Sequence, residues 1–298
     1  MENNQNIHLV AFIDILGFRN IVGDYFNGKN PQALTNLTNA LEQAQKLGID
    51  YARNYLTTKN IDISFKQFSD CVSISMPIDL NSENNKGIYQ SFIQVVRQYQ
   101  FLLLMKGILS RGGISIGKHI ENSNMIFSEA LIKAYKLETE TAVYPRILVD
   151  IEVLSSIKYL VKDVSSQEYD MFYAALGKNF LIDWDDNVFV CPFGTMGDIR
   201  QFGIMLGTES FKQQVNKSRQ LNNLNPLTDK EIDEILASDM ELPVINGILK
   251  WEDNFLTKNS HEHPEILLKH KWLRQFIRWY LEPTSSQVKF GRYFNEKQ

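Results

Sequence analysis

Cysteine is scarce, proline is sparse, and long apolar runs are missing from this chain. The two cysteines among 298 residues, Cys71 and Cys191, sit in separate apolar, strand-like stretches and form neither a disulfide framework nor a C-x-x-C pair. That usage excludes a small secreted scaffold and fits a reducing cytoplasm. No run approaches the ~20 apolar residues that a bilayer-spanning helix needs. The segment Met1 to Asn6 is polar and lacks the basic-then-apolar order of a leader, so a soluble protein without a membrane partner is expected. Positive charge is not in excess either. A net charge of -4 provides no general basic field for duplex nucleic acid, although a local basic cleft is still able to grip a triphosphate. Internal repeats and low-complexity tracts are absent. What is present, 44% hydrophobic residues with 16 Gly and 8 Pro, is ordinary globular composition, enough for one extended domain or a domain with an appendage.

The most informative stretch is Ala11-Phe12-Ile13-Asp14-Ile15-Leu16-Gly17-Phe18. Ile7 to Ile15 is a mostly apolar run, as in a strand buried on both faces, and it ends on a carboxylate and a glycine turn before a helical pattern begins at Asn20. An acid at the end of a buried strand is costly unless a cation or hydrogen-bond donors meet it, and amides around Gly17 suit an anion. Helix capping by Asp14 is the plain alternative. Ile61, Ile63 and Phe65 alternate with polar residues, as do Val72, Ile74 and Met76, so Phe68-Ser69-Asp70 reads as a hairpin tip carrying a second acid.

Helical spacing marks Pro31 to Tyr55, Ile88 to Lys106 and Met125 to Glu138. Strand patterns cover Ile108 to Gly117, whose paired glycines permit close backbone approach, and Tyr144 to Val149. Phe180 to Asp183 and Val188 to Val190 flank turn residues and predict a further hairpin. This order predicts an α+β sandwich, a mainly antiparallel sheet with helices on one face. Residues 1–195 form the expected core domain. Residues 196–298 form a helical C-terminal extension, with one helix opening at Pro226 and the last running from Pro264 to Tyr280. His261 and His263 make an HxH pair, but with no further ligand nearby a solvated loop is the better reading.

Phe12 to Phe18, Phe68-Ser69-Asp70, Arg111-Gly112-Gly113-Ile114-Ser115-Ile116-Gly117 and the helix from Ser128 to Glu138 occur in an order that resembles the class III nucleotide cyclase catalytic domain. The FSD turn, the RGGI strand, the SEALIKAYKLE helix and the YPRI strand are similar to the pyrimidine cyclases of the bacterial Pycsar antiphage system, over roughly Ile7 to Phe193. The resemblance implies a cyclase fold that converts UTP to 3′,5′-cyclic UMP and pyrophosphate, with two Mn²⁺ or Mg²⁺ ions per site held by Asp14, the Ile15 carbonyl and Asp70. Oxygen donors suit those cations, and two like charges at adjacent strand ends favour a cation between them.

By the same resemblance Lys66 falls where adenylate cyclases carry a base-contacting lysine, and Met125 falls where they carry the partner aspartate. Ile132 and Lys136 fall where the family has its transition-state asparagine and arginine. Lys136 is then a point charge on the reacting phosphate, with Arg111 or Arg146 as replacement donors. Phe18 and Tyr135 complete the candidate substrate contacts, and Lys133 is a further candidate on the helix. One cyclase domain per chain implies a homodimer with sites at the interface, and the product would act on a separate cyclic-nucleotide-sensing effector. Uracil and cytosine both stay open, cyclic CMP being the runner-up product. A cyclase-like module that binds nucleotide without turnover is the reading of another class.

Overall fold

The computed structural model describes residues 6–56, 63–80, 85–193, 241–282 and 290–294, with a few isolated positions between 216 and 231. Ile61, the 195/196 domain boundary and most of the helix expected from Pro226 lie outside them.

One nine-stranded sheet organises the chain, in the order β2-β3-β1-β4-β6-β8-β7-β9, with β5 paired to β4 beside this path. The strands are β1 (Ile7–Ile15), β2 (Ser64–Phe68), β3 (Cys71–Pro77), β4 (Ser110–Glu121), β5 (Ile126–Ser128), β6 (Ile147–Val149), β7 (Phe180–Ile182), β8 (Val188–Val190) and β9 (Gly291–Arg292). The apolar run of β1 lies between β3 and β4 and is antiparallel to both. The β4–β6 pair is parallel, and the other pairs of described strands are antiparallel.

Alternation along these strands sorts the core into two layers. On one face Leu9, Ala11, Ile13, Ile114, Ile116, Ile147 and Val149 pack with α2 (Ala33–Leu56), α3 (Asn85–Met105) and α5 (Ile151–Leu160). On the other, Leu148, Leu181 and Phe189 meet α7 (Glu241–Lys258) and α8 (Pro264–Leu281) through Ile248, Trp272, Leu273 and Phe276. The helix α4 (Glu129–Lys136) lies on that second face, over β4 and β1, where a Cβ at Gly113 would stand 2.4 Å from the Ala134 carbonyl oxygen. The α+β class and the mainly antiparallel sheet are as expected. The helices, expected on one face, cover both, because Leu148, Leu181 and Phe189 make the second face of β6, β7 and β8 apolar as well. Two short helices complete the described set, α1 (Phe18–Phe26) and α6 (Ser166–Ala175).

The helix expected from Met125 starts later. The Asn122 side chain accepts the amides of Asn124 and Met125 at 2.8 and 3.0 Å, closing a turn, and β5 follows it. Ser128 then caps α4 by accepting the Leu131 amide at 2.9 Å. Beyond Lys136 the helix widens into a π-helical turn over Leu137–Thr141, a feature common at functional sites.

Candidate active site

The edge of the sheet where β1 ends gathers the ionisable side chains. Asp14 is in register with Cys71 on β3 and with Arg111 on β4. The next residue, Ile15, donates its amide to the Asp70 carbonyl at 3.0 Å, which ties the end of β1 to the β2–β3 turn. Ser69 turns that hairpin in the left-handed region at φ 55°. Gly17, at φ 82°, makes the opposite exit into α1, where glycine bears the positive φ without strain. No side chain caps α1 and no acid lies in its first turn, so its leading amides suit an anion. Phe18 is the first residue of that helix, partly buried.

Asp14, Asp70 and Cys71 each bring one ligand atom within 4.8 Å of the others. The Cys71 thiol lies 3.5 Å from Asp14 Oδ1 and 3.8 Å from Asp70 Oδ1. Burial, then the Asp14 and Asp70 charges, push that thiol upward, so it stays protonated beside them. Burial likewise raises the Asp14 carboxyl. The Cys71 hydrogen bond and the Arg111 charge pull it back, while Asp70 adds to the rise. Two carboxylates converging in a half-buried corner form a hard-oxygen donor set of the kind that Mg²⁺ and Mn²⁺ take. The set therefore fits the expected cations.

Arg111 bridges this pair to a third acid. Its Nε is 3.5 Å from Asp14 Oδ2, its Nη2 is 2.7 Å from Glu138 Oε1, and its Nη1 donates to the Ala142 carbonyl at 3.1 Å. Glu138 is buried in the π-helical turn, and burial raises its carboxyl against the pull of Arg111. Arg111, expected as a replacement donor to the reacting phosphate, is thus held by Asp14, Glu138 and the Ala142 carbonyl. Glu138 and Cys71 were not singled out. Glu138 ends the SEALIKAYKLE helix and Cys71 directly follows the FSD turn, but only the fold shows that Glu138 faces Arg111 and Cys71 faces Asp14.

A second polar group surrounds Lys66 on β2. Its ammonium is 3.5 Å from Glu121 Oε1 and donates to the Asn122 carbonyl at 3.4 Å. Since Asn122 also holds the Met125 amide, the structure brings Lys66 and the half-exposed Met125 together around one turn. Glu121 accepts from Ser64 at 2.5 Å and from Ser75 at 3.2 Å, and lies 3.1 Å from His119, which stacks on His8. Burial alone would raise the Glu121 carboxyl. The bonds from Ser64, His119 and Ser75 and the Lys66 charge outweigh it and hold the carboxyl below its ordinary range.

The helix α4 presents the remaining candidates outward. Tyr135 meets Phe12 edge-on at 5.4 Å and is half exposed, Ile132 is exposed, and Lys133 pairs with Glu152 at 2.6 Å. Exposed Lys136 lines a cleft of about 480 Å³ with Leu137, Asp150, Asp186 and Tyr293. Within the described residues no hydrogen bond or ion pair joins Lys136 to Asp14 or Asp70. Arg146 is placed differently from its expected role. It is 1% exposed, bonded to Asp183 and Asp185, and flanked by the rings of Tyr144 and Trp272 at 5.2 and 5.9 Å. Two carboxylates on the β7–β8 hairpin hold its guanidinium inside the fold, and that anchoring role takes the place of phosphate donation.

No family model and no curated protein matches the chain. Solved structures similar to it include the adenylyl cyclase CyaB from P. aeruginosa, at 17% identity and TM-score 0.36 over 53% of this chain and 82% of that one. Another is the guanylyl cyclase Cya2, at 12% identity and TM-score 0.33 over 52% of this chain and 80% of that one. A third is an adenylate/guanylate cyclase/hydrolase from Silicibacter pomeroyi, at 16% identity and TM-score 0.33 over 62% of this chain and 94% of that one. At that level of likeness the functional reading rests on this chain's own residues. Among the described residues no helix is long and apolar enough to cross a membrane.

Proposed function

We propose that the chain is a pyrimidine nucleotide cyclase that converts UTP to 3′,5′-cyclic UMP and pyrophosphate. The observation that carries this reading is the convergence of Asp14 and Asp70 at the end of β1, with Arg111 3.5 Å from Asp14 and the uncapped start of α1 one turn away. Cyclisation joins the ribose 3′ oxygen to the α-phosphorus as the bond to pyrophosphate breaks, so negative charge gathers at both ends of the reacting group. Asp14, Asp70 and the Ile15 carbonyl are the residues to hold two divalent cations, Mn²⁺ or Mg²⁺, which when bound stabilise the attacking and leaving oxygens. Arg111 supplies a fixed cation beside them, and the first amides of α1 supply donors for the phosphates.

The base and the reacting phosphate take residues from a partner copy. Lys66 and the turn at Met125 lie together, with Glu121 and its two serines as neighbouring hydrogen-bonding groups for a small polar base. Phe18 and Tyr135 offer aromatic surface, and Lys136 on the outer side of α4 offers a point charge to the other protomer's substrate. A homodimer also accounts for apolar exposure on this side of the molecule. Ile120 and Phe127, cross-strand partners on the β4–β5 hairpin, are 62% and 63% exposed, and Ile132 is 57% exposed. A second copy covers them and completes two sites related by a two-fold axis.

In this reading the product is a cytoplasmic second messenger in antiphage defence, sensed by a separate effector. Cyclic CMP from CTP is the runner-up product, since Lys66 and Glu121 offer both a donor and an acceptor. The exposed Ile132, which cannot donate a hydrogen bond to a phosphate, is the observation that favours a nucleotide-binding module without turnover. Incubation of the purified chain with each of the four nucleoside triphosphates and Mn²⁺, with products identified by mass spectrometry, separates these readings. A cyclic pyrimidine nucleotide with pyrophosphate is expected. Preferential cyclisation of a purine overturns the pyrimidine assignment, and binding without any product favours the module.

A further inference from the structure

One carboxylate at the end of β4 joins three strands beside Lys66. Strand β1 begins at Ile7, opposite Lys118, and β4 runs on past it to Glu121. From that overhang the Glu121 side chain reaches the β2–β3 hairpin. Ser64 and Lys66 share one face of β2, and Ser64 is the register partner of Ser75 on β3. Each carboxylate oxygen meets two groups. Oε1 accepts from Ser64 at 2.5 Å and lies 3.5 Å from the Lys66 ammonium, while Oε2 accepts from Ser75 at 3.2 Å and lies 3.1 Å from His119 Nε2.

This anchoring passes to the lysine. An ammonium carries three N–H donors and no acceptor. Glu121 takes one, the Asn122 carbonyl at 3.4 Å takes a second, and the third is left for a ligand. A surface ion pair usually leaves a lysine mobile, because both partners must give up rotamer freedom to meet. Here the acid is already held by Ser64 on β2, Ser75 on β3 and His119 on β4, and its side chain is 13% exposed against 32% for Lys66. The lysine therefore meets a fixed partner. A charge whose position is set before a ligand arrives loses less freedom on binding, which favours the bound state.

We propose that Glu121 is a positioning residue for the substrate, fixing the Lys66 ammonium where its remaining N–H meets an acceptor atom of the base, a ring carbonyl or a ring nitrogen. This rests on the base-binding role given to Lys66 above and extends it to the residue that sets its geometry. A purely structural Glu121, tying the β4–β5 hairpin to the β2–β3 hairpin, would change stability without acting through Lys66.

The test is a double-mutant cycle on the full chain with Glu121→Gln, Lys66→Gln and the combined variant, each checked by thermal melting. The probe is 3′-deoxy-UTP with Mn²⁺, which lacks the attacking oxygen and so reports binding alone, read by calorimetry. Each single variant is expected to weaken binding by about tenfold, the scale of one charge-assisted hydrogen bond, and Glu121→Gln should cost nothing further once Lys66 is gone. Should Glu121→Gln melt early, Ser64→Ala loosens the carboxylate while keeping its charge, and a loss of about three- to tenfold is expected, again absent in the Lys66→Gln background. Affinity equal to wild type in both Glu121→Gln and Ser64→Ala overturns the proposal. Losses that add to that of Lys66→Gln overturn it too, as does a wild-type chain that does not bind the probe. A wild-type chain that shows the non-additive losses but makes no cyclic product from UTP would retain this proposal and overturn the cyclase reading alone. A chain that cyclises UTP with KM unchanged in Glu121→Gln would do the reverse.

Discussion

The Ile15 amide donates to the Asp70 carbonyl at 3.0 Å, and this bond sets how closely two acids approach at the end of the central strand. Because a backbone bond joins the two strand ends, either carboxylate can be removed without breaking that tie. Asp14→Asn and Asp70→Asn should each lower product formation by a factor on the order of 10²–10³, typical for loss of one group that stabilises transition-state charge. Thermal stability without metal should be unchanged or higher, because repulsion between the acids is relieved. Turnover assays beside melting curves check this, and near-normal activity in either variant removes that acid from the site.

His8 makes folding sensitive to acid. Burial, then the neighbouring His119, lower its pKa from 6.5 to about 4, with Glu121 opposing. Between those values the unfolded chain binds a proton that the folded chain refuses, so stability is full above the upper value and is lost as pH falls from 6.5 toward 4. The loss attributable to this ring is on the order of 1–3 kcal/mol. Urea midpoints measured at pH 7.5 and pH 5 should differ in wild type, and less so in His8→Gln. An equal acid sensitivity in both proteins would assign the effect elsewhere.

Gly113 marks the closest approach of α4 to the sheet. A Cβ there would sit 2.4 Å from the Ala134 carbonyl oxygen and 2.6 Å from Leu137 Cβ, neither of which is the end of a flexible side chain. Gly113→Ala should therefore destabilise the chain by about 1–3 kcal/mol, the usual cost of overpacking. Because Glu138 follows directly on that helix, the same change should weaken Mn²⁺–nucleotide binding more than an equally destabilising substitution in α6 does. Denaturation and calorimetry on both variants decide it.

What the sequence disclosed divides along physical lines. The apolar run Ile7 to Ile15, the alternation around Phe68-Ser69-Asp70 and the helix from Pro264 are local patterns, and each became the expected element. The start of α4 was misplaced because a side chain, Asn122, captured the amides that a longer helix would have used. Arg146 looked available for phosphate because its acids lie 37 and 39 residues away, on a hairpin whose docking the local pattern does not encode. Glu138 was invisible as a site residue for the same reason, since it is ordinary in its own helix and unusual only beside Arg111.

The arrangement of Lys136 leads to the last prediction. No described contact joins it to Asp14 or Asp70, and it points from α4 into a cleft bounded by Asp150 and Asp186. If Lys136 serves the partner's substrate, an Asp70→Asn chain and a Lys136→Ala chain carry lesions on opposite halves of each shared site. Their heterodimer then has one intact site and one site with both lesions. Equimolar chains that exchange freely are about half heterodimer, so the mixture should regain roughly a quarter of wild-type activity by the symmetry of a two-fold interface. Each variant alone must be inactive, and a tagged pull-down confirms exchange. Heterodimers that form and stay inactive would place the whole site within one chain, and the outward position of Lys136 would then require another explanation.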